Sequence, residues 1–426
     1  MQVRTNLGLE GGVRDASVLE AGQVERRGVS GGPLFPEVGI VATPYHSFAS
    51  RWTTPHYVMT GLADFFQVAW VEPAGHWRQT RARGERIRQL DTLAEGLPSS
   101  FQMVHPPVWA PDVYSPQRLR DFLLRARYRQ ACYLLRKRGC QRGLLHLWHH
   151  KFAPLLDVAK HEYAFYHVDD EYSFQSDPPP MCAEERRVIQ EVDQVFVISQ
   201  GLLARKGGIN PNIRLVPEGV DFRLYSTPCP VPADMADIPR PIVGYTGVIK
   251  SQLDWELLRT LADRNPQWSF VYVGLVADKA SVKATVAEMD MRPNVYFLGA
   301  KSRLEIACYP QHFDACTMPY LVNGYTNNIY PLKLHEYLAG GRPSVGTPIR
   351  SLLDYQSIIT VASTVDEWEQ ALHRALAPVS THPKEVAERR ALAAEYDWQK
   401  LIFQVAESIC AKLGPSYLER LTAAHG

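Results

Sequence analysis

The chain has 426 residues, of which 46% are hydrophobic, and its formal net charge is +1. This length accommodates two domains, and the hydrophobic share is that of a globular protein with sizeable cores. The near-zero charge excludes a global attraction to nucleic acid, and no apolar run reaches the roughly 18 residues that could span a membrane. The seven cysteines lack zinc-site spacing, which indicates reduced, mostly buried thiols.

The first 37 residues differ in composition from the rest of the chain. They are rich in Gly, Arg and Glu, show no hydrophobic periodicity and lack the apolar segment of a secretory signal. We therefore predict a flexible leader over residues 1–37 and a cytoplasmic protein.

From residue 38 onward, short apolar runs alternate with longer amphipathic ones. The intervals accommodate crossover helices, which predicts parallel sheets covered on both faces. A proline-rich linker at 226–240 separates an N-terminal domain, 38–225, from a C-terminal domain, 241–397, and an amphipathic run, Trp398–Leu413, opens the last segment, 398–426. The predicted strands are Val38–Thr43, Val68–Val71, Leu144–Leu147, Ala164–Val168, Val195–Ile198, Arg214–Val216, Ile242–Tyr245, Phe270–Val273, Val295–Leu298, Ala315–Met318, Ser344–Val345 and Ile359–Val361.

Two doubly wound domains also occur in dehydrogenases, binding proteins and epimerases, so the loops after the strands must discriminate among them. Ligands bind at the carboxyl ends of parallel strands, which here means the cleft between the domains. No G-x-G-x-x-G sequence follows a predicted strand, which argues against a nicotinamide or flavin dehydrogenase.

Two loops of the N-terminal domain carry polar residues to this edge. His46 and Arg51 follow the first strand and are candidates for acceptor contacts, with a simple capping loop as the alternative. His149 and His150 follow a later strand. His149 is a further acceptor candidate, whereas a metal site here would need a third ligand.

Residues 117–142 predict a strongly basic amphipathic helix. They contain nine basic residues, interleaved with leucine and aromatic side chains, and one acid, Asp121. One interpretation is a solvated crossover helix, and the other is docking on an anionic membrane surface. Nucleic acid is not expected as a partner, because no recognised binding motif is present.

An acidic run, Asp169-Asp170-Glu171, stands where another buried strand ends, directly after His167. Such a cluster could bind a metal ion or contact sugar hydroxyls.

The C-terminal domain places glycines and lysines after its strands. Gly244 and Gly247 would let the backbone approach a phosphate closely, although glycines at strand ends also form simple tight turns. Lys250 and Lys301 follow two of these strands and are candidates for donor contacts, with ordinary surface charges as the alternative.

The segment 330–343 predicts a helix at the cleft. Pro331 suits its first turn, and a glycine pair at 340–341 suits its left-handed cap. The helix start at Pro331 and Leu332, together with the Lys333 ammonium, offers N–H groups and positive charge to a diphosphate.

The neighbours of this start complete a candidate donor site. Glu336 lies one turn further into the helix, where it can accept hydrogen bonds from a diol such as ribose. The loop that contains Asn327 and Asn328 immediately precedes the helix and must line the cleft.

These motifs carry a resemblance to a known family. The segment Pro331-Leu-Lys-x-x-Glu336-Tyr-Leu-Ala-x-Gly-x-Pro343, after a strand that ends in Pro319, is similar to retaining GT-B glycosyltransferases of bacterial cell-surface polysaccharide synthesis, teichuronic-acid-type polymers among them. Val216-Pro-Glu-Gly-Val-Asp221 is similar to the segment by which that family leaves its first domain. The resemblance covers roughly residues 38–415.

The resemblance implies a GT-B fold, in which two Rossmann-like doubly wound domains face a cleft and a terminal helix crosses back to the N-terminal domain. It implies that Glu336 holds the ribose hydroxyls, that Gly247 backs the diphosphate and that His167 contacts the donor sugar. Because this family needs no bound metal and no cofactor, Asp169 and Asp170 are expected to contact the sugar or the acceptor.

The sequence departs from the family at two points. Asn328 stands where many members carry a second glutamate, and Lys250 does not match the spacing of the usual phosphate-binding cations.

The implied function is retaining, metal-independent transfer of a sugar from a nucleoside diphosphate sugar to a carbohydrate, lipid-linked or small-molecule acceptor. The transfer would take place in the cytoplasm, either free in solution or at the inner face of the cell membrane. The alternatives are an epimerase or hydrolase of nucleotide sugars on the same fold, and a non-catalytic subunit that binds a nucleotide sugar.

Overall fold

The computed structural model describes residues 32–50, 52–73, 96–107, 109, 116–172 and 181–425. Thirteen strands occur within these ranges. They are β1 (Phe35–Thr43), β2 (Phe66–Val71), β3 (Phe101–Val104), β4 (Arg142–Leu147), β5 (Tyr163–Val168), β6 (Gln194–Val197), β7 (Ile213–Leu215), β8 (Ile242–Thr246), β9 (Ser269–Val273), β10 (Val295–Phe297), β11 (Ala315–Met318), β12 (Ser344–Gly346) and β13 (Thr360–Val361).

The strands form two parallel sheets, as the apolar runs predict. The first sheet has seven strands in the order β3-β2-β1-β4-β5-β6-β7, and the second has six in the order β10-β9-β8-β11-β12-β13. Each predicted strand is present within a few residues of its predicted bounds. Strand β1 begins at Phe35, so 35–37 belong to a strand rather than to the predicted leader, and most of that leader lies outside the described residues.

Strand β3 was not predicted, because only its end residues Phe101 and Val104 are buried. An edge strand with two half-buried central residues lacks the continuous apolar run that marks the inner strands of a parallel sheet.

Helices cover both faces of each sheet and supply the crossovers. Those of the described residues are α1 (Thr54–Leu62), α2 (Gln117–Lys137), α3 (Pro154–Val158), α4 (Ala183–Glu191), α5 (Gln200–Lys206), α6 (Phe222–Ser226), α7 (Trp255–Arg264), α8 (Ala280–Met289), α9 (Arg303–Ile306), α10 (Cys308–Gln311), α11 (Lys333–Ala339), α12 (Arg350–Leu353), α13 (Val365–Ala375), α14 (Pro383–Glu395), α15 (Trp398–Leu413) and α16 (Pro415–His425).

The C-terminal helix α15 packs on the N-terminal domain. Its apolar side chains recur every four residues, so Leu401, Val405 and Ile409 form one stripe, and all three are buried in a core shared with α1 and β1. Burying each such side chain contributes roughly 1.5–3 kcal/mol. The last helices therefore fold with the first domain and tie it to the second.

The cysteines correct one prediction. Cys229 of the linker and Cys308 of α10 form a disulfide with their Cα atoms 5.8 Å apart, so the prediction of seven reduced thiols is wrong for this pair. The other five cysteines are free. Among the described residues, no helix is both long and apolar enough to cross a membrane.

Candidate functional site

The carboxyl ends of the two sheets face each other across a cleft. Two hydrogen bonds join the domains there. The Ser199 hydroxyl, after β6, donates to the Asn328 carbonyl at 2.7 Å. The Tyr325 hydroxyl, in the loop after β11, donates to Asp170 Oδ2 at 3.3 Å. The loop after β11 therefore meets the ends of β5 and β6 at this cleft.

Helix α11 begins at Lys333, shortly after the loop residues Tyr325 and Asn328 that contact the N-terminal domain. Its start is fixed by the Leu334 N–H, which donates to the Pro331 carbonyl at 3.0 Å. At its end only Gly341 takes the left-handed conformation, with φ of +74°, while Gly340 remains helical. A side chain at Gly341 would also collide with Val386, so glycine is required there. Pro331 is buried.

The Lys333 ammonium lies beside the glycine turn after β8. Its Nζ donates to the Tyr320 hydroxyl at 2.8 Å and lies 5.1 Å from the centre of the Tyr245 ring. A Cβ atom added to Gly247 would lie 3.4 Å from the same Nζ. The Lys333 side chain thus lies directly beside the backbone of Gly247.

Glu336 lies one turn further along α11 and is half-buried. Its carboxylate interacts with the Tyr225 hydroxyl, and burial together with Glu336 raises the pKa of Tyr225 well above its usual value. Leu332, just before the helix, packs against the core of the N-terminal domain. The start of α11 therefore contacts both domains.

Asp169 and Asp170 follow β5 and line the opposite wall. Burial raises the pKa of Asp169 to about 7, although a hydrogen bond from Tyr172 opposes this shift. Burial also raises the pKa of Asp170 to about 6, opposed by the Glu171 N–H and by the positive charge of Lys250. The structure thus brings Lys250 of the second domain close to the first.

Glu171 does not join these two carboxylates. It is fully buried and forms ion pairs with Arg205 at 3.1 Å and with Lys206 at 3.6 Å. The run of three acids therefore divides between the cleft and an internal ion-pair cluster, which opposes its interpretation as one metal site.

Glu218 is a cleft carboxylate to which sequence reasoning assigned no role. It is 4% exposed, both its oxygens lie within 2.7 Å of the Thr54 hydroxyl, and burial raises its pKa to about 8. The carboxylates of Asp169, Asp170 and Glu336 act on it electrostatically. The sequence of Val216–Asp221 could have revealed this site, because a glutamate between apolar residues and glycine indicates a buried carboxylate.

Two predicted site residues are corrected. His167 is fully buried within β5, its ring stacks on Trp148 at 4.5 Å, and burial lowers its pKa to about 3. It is a neutral core side chain that does not reach the cleft. Gly244 is likewise inside the sheet, where a Cβ atom would lie 2.1 Å from the Phe313 ring. Its lack of a side chain serves packing.

Three further donor candidates are held by protein contacts. Lys301 Nζ pairs with Asp234 of the linker at 2.6 Å. Asn328 Nδ2 donates to the Gly324 carbonyl at 2.6 Å, and the Asn327 carbonyl and Asn328 side chain both pack closely against Gly201. The two asparagines therefore fix the loop against the start of α5 at the cleft edge.

The acceptor candidates surround an exposed aromatic ring. Tyr45 is 46% exposed, and its ring centre lies 4.6 Å from that of His149 and 5.0 Å from that of His46. His149 Nδ1 accepts from the Lys151 N–H at 3.0 Å, and burial lowers the pKa of His149 to about 3. Arg51 lies outside the described residues.

The C-terminal domain matches a known sequence family. Residues 240–377 match the family described as Glycosyl transferases group 1. TuaH of Bacillus subtilis (strain 168), assigned as a glycosyltransferase of teichuronic acid biosynthesis, is 31% identical over 173 residues. That alignment covers 39% of this chain and 43% of the relative, so the match spans less than half the length of TuaH.

Solved structures with the same fold cover nearly the whole chain. A sucrose-phosphate synthase from Thermosynechococcus elongatus superposes with a TM-score of 0.64 at 16% identity, over 87% of this chain and 98% of its own. HepE of Anabaena, solved with UDP and glucose, gives 0.63 at 13% identity, over 88% and 99%. A glycosyltransferase from Rickettsia africae gives 0.66 at 11% identity, over 88% and 99%. The predicted GT-B fold is confirmed.

Proposed function

We propose that this protein transfers a sugar from a nucleoside diphosphate sugar to an acceptor hydroxyl in the synthesis of a cell-surface polysaccharide. The observation that carries the proposal is the position of the Lys333 ammonium beside Gly247, with Glu336 one turn further along the same helix. The match of residues 240–377 to the group 1 glycosyl transferases supports it, because this segment contains all three residues.

In this proposal the Lys333 ammonium stabilises the charge that develops on the departing diphosphate. The bond from the anomeric carbon to the diphosphate oxygen breaks, a bond to the acceptor oxygen forms, and the acceptor hydroxyl proton passes to the departing diphosphate. A fixed cation in a partly buried site stabilises such charge without reorganisation during the reaction. Glu336 accepts hydrogen bonds from the ribose, and Lys250 adds positive charge near the same cleft.

Asp169 and Asp170 are proposed to contact the sugar or the acceptor hydroxyl from the opposite wall. Tyr45, His46 and His149 are proposed to form the acceptor side. Retention of anomeric configuration and independence of a metal ion are part of the proposal, and both rest on the resemblance of the α11 segment to the retaining GT-B enzymes.

We also propose that α2 docks on an anionic membrane surface, which would bring a lipid-linked acceptor to the cleft. The exposed side chains of this helix include Phe122, Arg125, Arg129 and Tyr133. Aromatic and basic side chains on one exposed face suit the interface of a bilayer with anionic lipids. The enzyme would then act as a peripheral protein on the cytoplasmic side.

The test is a donor screen followed by variants of the α11 site. Purified protein is incubated with a panel of nucleoside diphosphate sugars and acceptors, and products are identified by mass spectrometry. Lys333→Met should lower kcat about 100-fold, since loss of one electrostatic donor costs roughly 3 kcal/mol. Glu336→Ala should weaken donor binding on the order of tenfold or more, because a hydrogen bond to a charged group contributes about 1.5–3 kcal/mol.

Lys384→Met is the matched control, since Lys384 is an exposed lysine of α14 in the same domain. It should leave both constants unchanged. Full activity of the Lys333 and Glu336 variants would refute the donor site. Conversion of a donor without any acceptor would instead favour the epimerase or hydrolase, and nucleotide binding without turnover would favour a non-catalytic subunit.

A further inference from the structure

Three potential metal ligands converge in the N-terminal domain outside the proposed donor site. His150 begins the short turn after β4, Cys182 caps the N-terminus of α4, and Glu185 is the third residue of that helix. One ligand atom from each lies within 4.8 Å of the other two. The Glu185 N–H donates to Cys182 Sγ at 3.4 Å, which keeps thiol and carboxylate on the same face of the helix start.

Two polar atoms of this cluster have no hydrogen-bond partner among the residues that the structure describes. One is Oε2 of the fully buried Glu185, and the other is the buried Nδ1 atom of His150. A buried carboxylate oxygen without a hydrogen bond is costly, and native structures rarely retain one without a ligand, water or ion. The other oxygen, Oε1, accepts from Lys206 Nζ at 2.8 Å, which orients the carboxylate.

We propose that His150, Cys182 and Glu185 bind a divalent transition-metal ion, for which Zn²⁺ is the best fit. Imidazole nitrogen, thiolate sulfur and carboxylate oxygen are the ligands that zinc takes in proteins. Tetrahedral coordination needs ligand atoms roughly 3.3–3.8 Å apart, so side-chain adjustments of about 1 Å close the site. A water molecule would fill the fourth position.

The chemistry of the three side chains agrees with metal binding. The ion must displace the Cys182 thiol proton, which leaves to solvent as the metal–sulfur bond forms. The Lys206 ion pair with Glu185 supplies the outer-shell contact that metal-bound carboxylates commonly have.

Such an ion would tie the turn after β4 to the start of α4, and His149 of the acceptor side directly precedes that turn. The proposed diphosphate site on α11 is in the other domain, so the inference stands whether or not the proposed transfer reaction is correct.

The first test is cobalt substitution of the full-length protein after treatment with chelator. Co²⁺ should bind at about one equivalent and give thiolate-to-metal charge-transfer absorption, because the site contains one sulfur. Cys182→Ser should abolish the absorption, and His150→Gln should weaken binding by at least tenfold. The control, Cys132→Ser, removes another partly buried free thiol, from α2, and should leave the titration unchanged.

The second test needs no variant and remains decisive if Cys182→Ser does not fold. Wild-type protein is alkylated with and without Zn²⁺, and each cysteine is quantified by peptide mass spectrometry. Zn²⁺ should slow modification of Cys182 by more than tenfold and leave that of Cys132 unchanged. Equal rates at Cys182 with and without zinc, or charge-transfer absorption that persists in Cys182→Ser, would overturn the proposal.

Discussion

Carboxylates shape the electrostatics of the cleft at the scale of single residues. Asp169, Asp170, Glu218 and Glu336 are near one another, and a diphosphate would add further negative charge. Burial raises the pKa of Asp169 to about 7 and that of Glu218 to about 8, which favours the protonated form of both carboxyls. In the proposed reaction, protonation of these carboxyls would reduce the repulsion of an anionic donor near Lys333.

Glu218 provides a prediction on stability and pH. Its ordinary pKa in an unfolded chain is about 4.3, and burial raises it to about 8 in the fold. The folded protein therefore binds more protons than the unfolded chain between these values, so stability falls as pH rises from about 4 to 8. The Glu218→Gln side chain is neutral at every pH, so this variant should not show the loss of stability. Removing the loss should amount to on the order of a few kcal/mol in the free energy of unfolding at pH 8.

Urea denaturation across this pH range measures the difference. The exposed carboxylate variant Glu419→Gln is the control and should follow the wild-type curve. Equal pH dependence of wild type and Glu218→Gln would contradict the assigned burial of this acid.

Sequence reasoning placed Lys333 and Glu336 at the start of a helix, as the structure has them, because this placement depends on local rules. A proline before a helix, a glycine after it and the spacing of its residues fix which side chains lie on its first turn. His167 and Gly244 could not be assigned in the same way. They lie within strands, and whether such a position faces ligand or core depends on side chains such as Trp148 and Phe313 from distant segments.

At the scale of elements, α2 has a face that is exposed among the residues that the structure describes. Phe122 is 58% exposed and Tyr133 is 55% exposed, while Leu123, Leu124 and neighbouring side chains of the other face are buried in the core. The sequence identified the helix and its charge but left open which face would be free. The structure places aromatic and basic side chains together on the exposed one.

The membrane proposal predicts that charge removal on this face weakens vesicle binding. Arg125→Gln with Arg129→Gln should lower partitioning onto anionic vesicles about 30-fold, since each basic residue contributes about 1 kcal/mol near the surface. Sedimentation with vesicles measures the partition coefficient. Arg374→Gln with Lys384→Gln removes two exposed charges of the C-terminal domain and should have no effect. Equal binding to anionic and uncharged vesicles would contradict electrostatic docking.

Contacts between residues far apart in the sequence cannot be predicted from the residue pattern of a single helix or strand. The disulfide joins Cys229 and Cys308, which are 79 positions apart, and spacing alone gives no sign of it. The edge strand β3 is defined by its neighbour β2 more than by its own residues. The inner strands were found because each is buried on both faces, a property that its own composition reveals.

At the scale of the whole molecule, the two domains have separate hydrophobic cores and are joined by segments that pass from one domain to the other. Helix α15 packs on the first domain, and the Arg303 guanidinium of α9 lies 4.6 Å from the centre of the Trp52 ring. Near the cleft, the described contacts between the domains include the hydrogen bonds Ser199–Asn328 and Tyr325–Asp170 and the apolar packing of Leu332 on the N-terminal core. Such a boundary permits relative motion, so a ligand that touches both walls should favour the closed arrangement.

Tyr325→Phe tests this coupling. The substitution removes the hydroxyl that donates to Asp170 across the cleft and leaves the ring in place. Loss of one hydrogen bond costs about 1 kcal/mol, so the closed population should fall and the Kd of a nucleoside diphosphate sugar should rise roughly fivefold. Calorimetric titration measures Kd, and small-angle scattering should show a larger radius of gyration for the ligand-free variant. Tyr296→Phe, on β10, is the control, and neither its Kd nor its radius of gyration should change. An unaltered Kd and radius of gyration in Tyr325→Phe would mean that the Tyr325–Asp170 hydrogen bond does not bias closure.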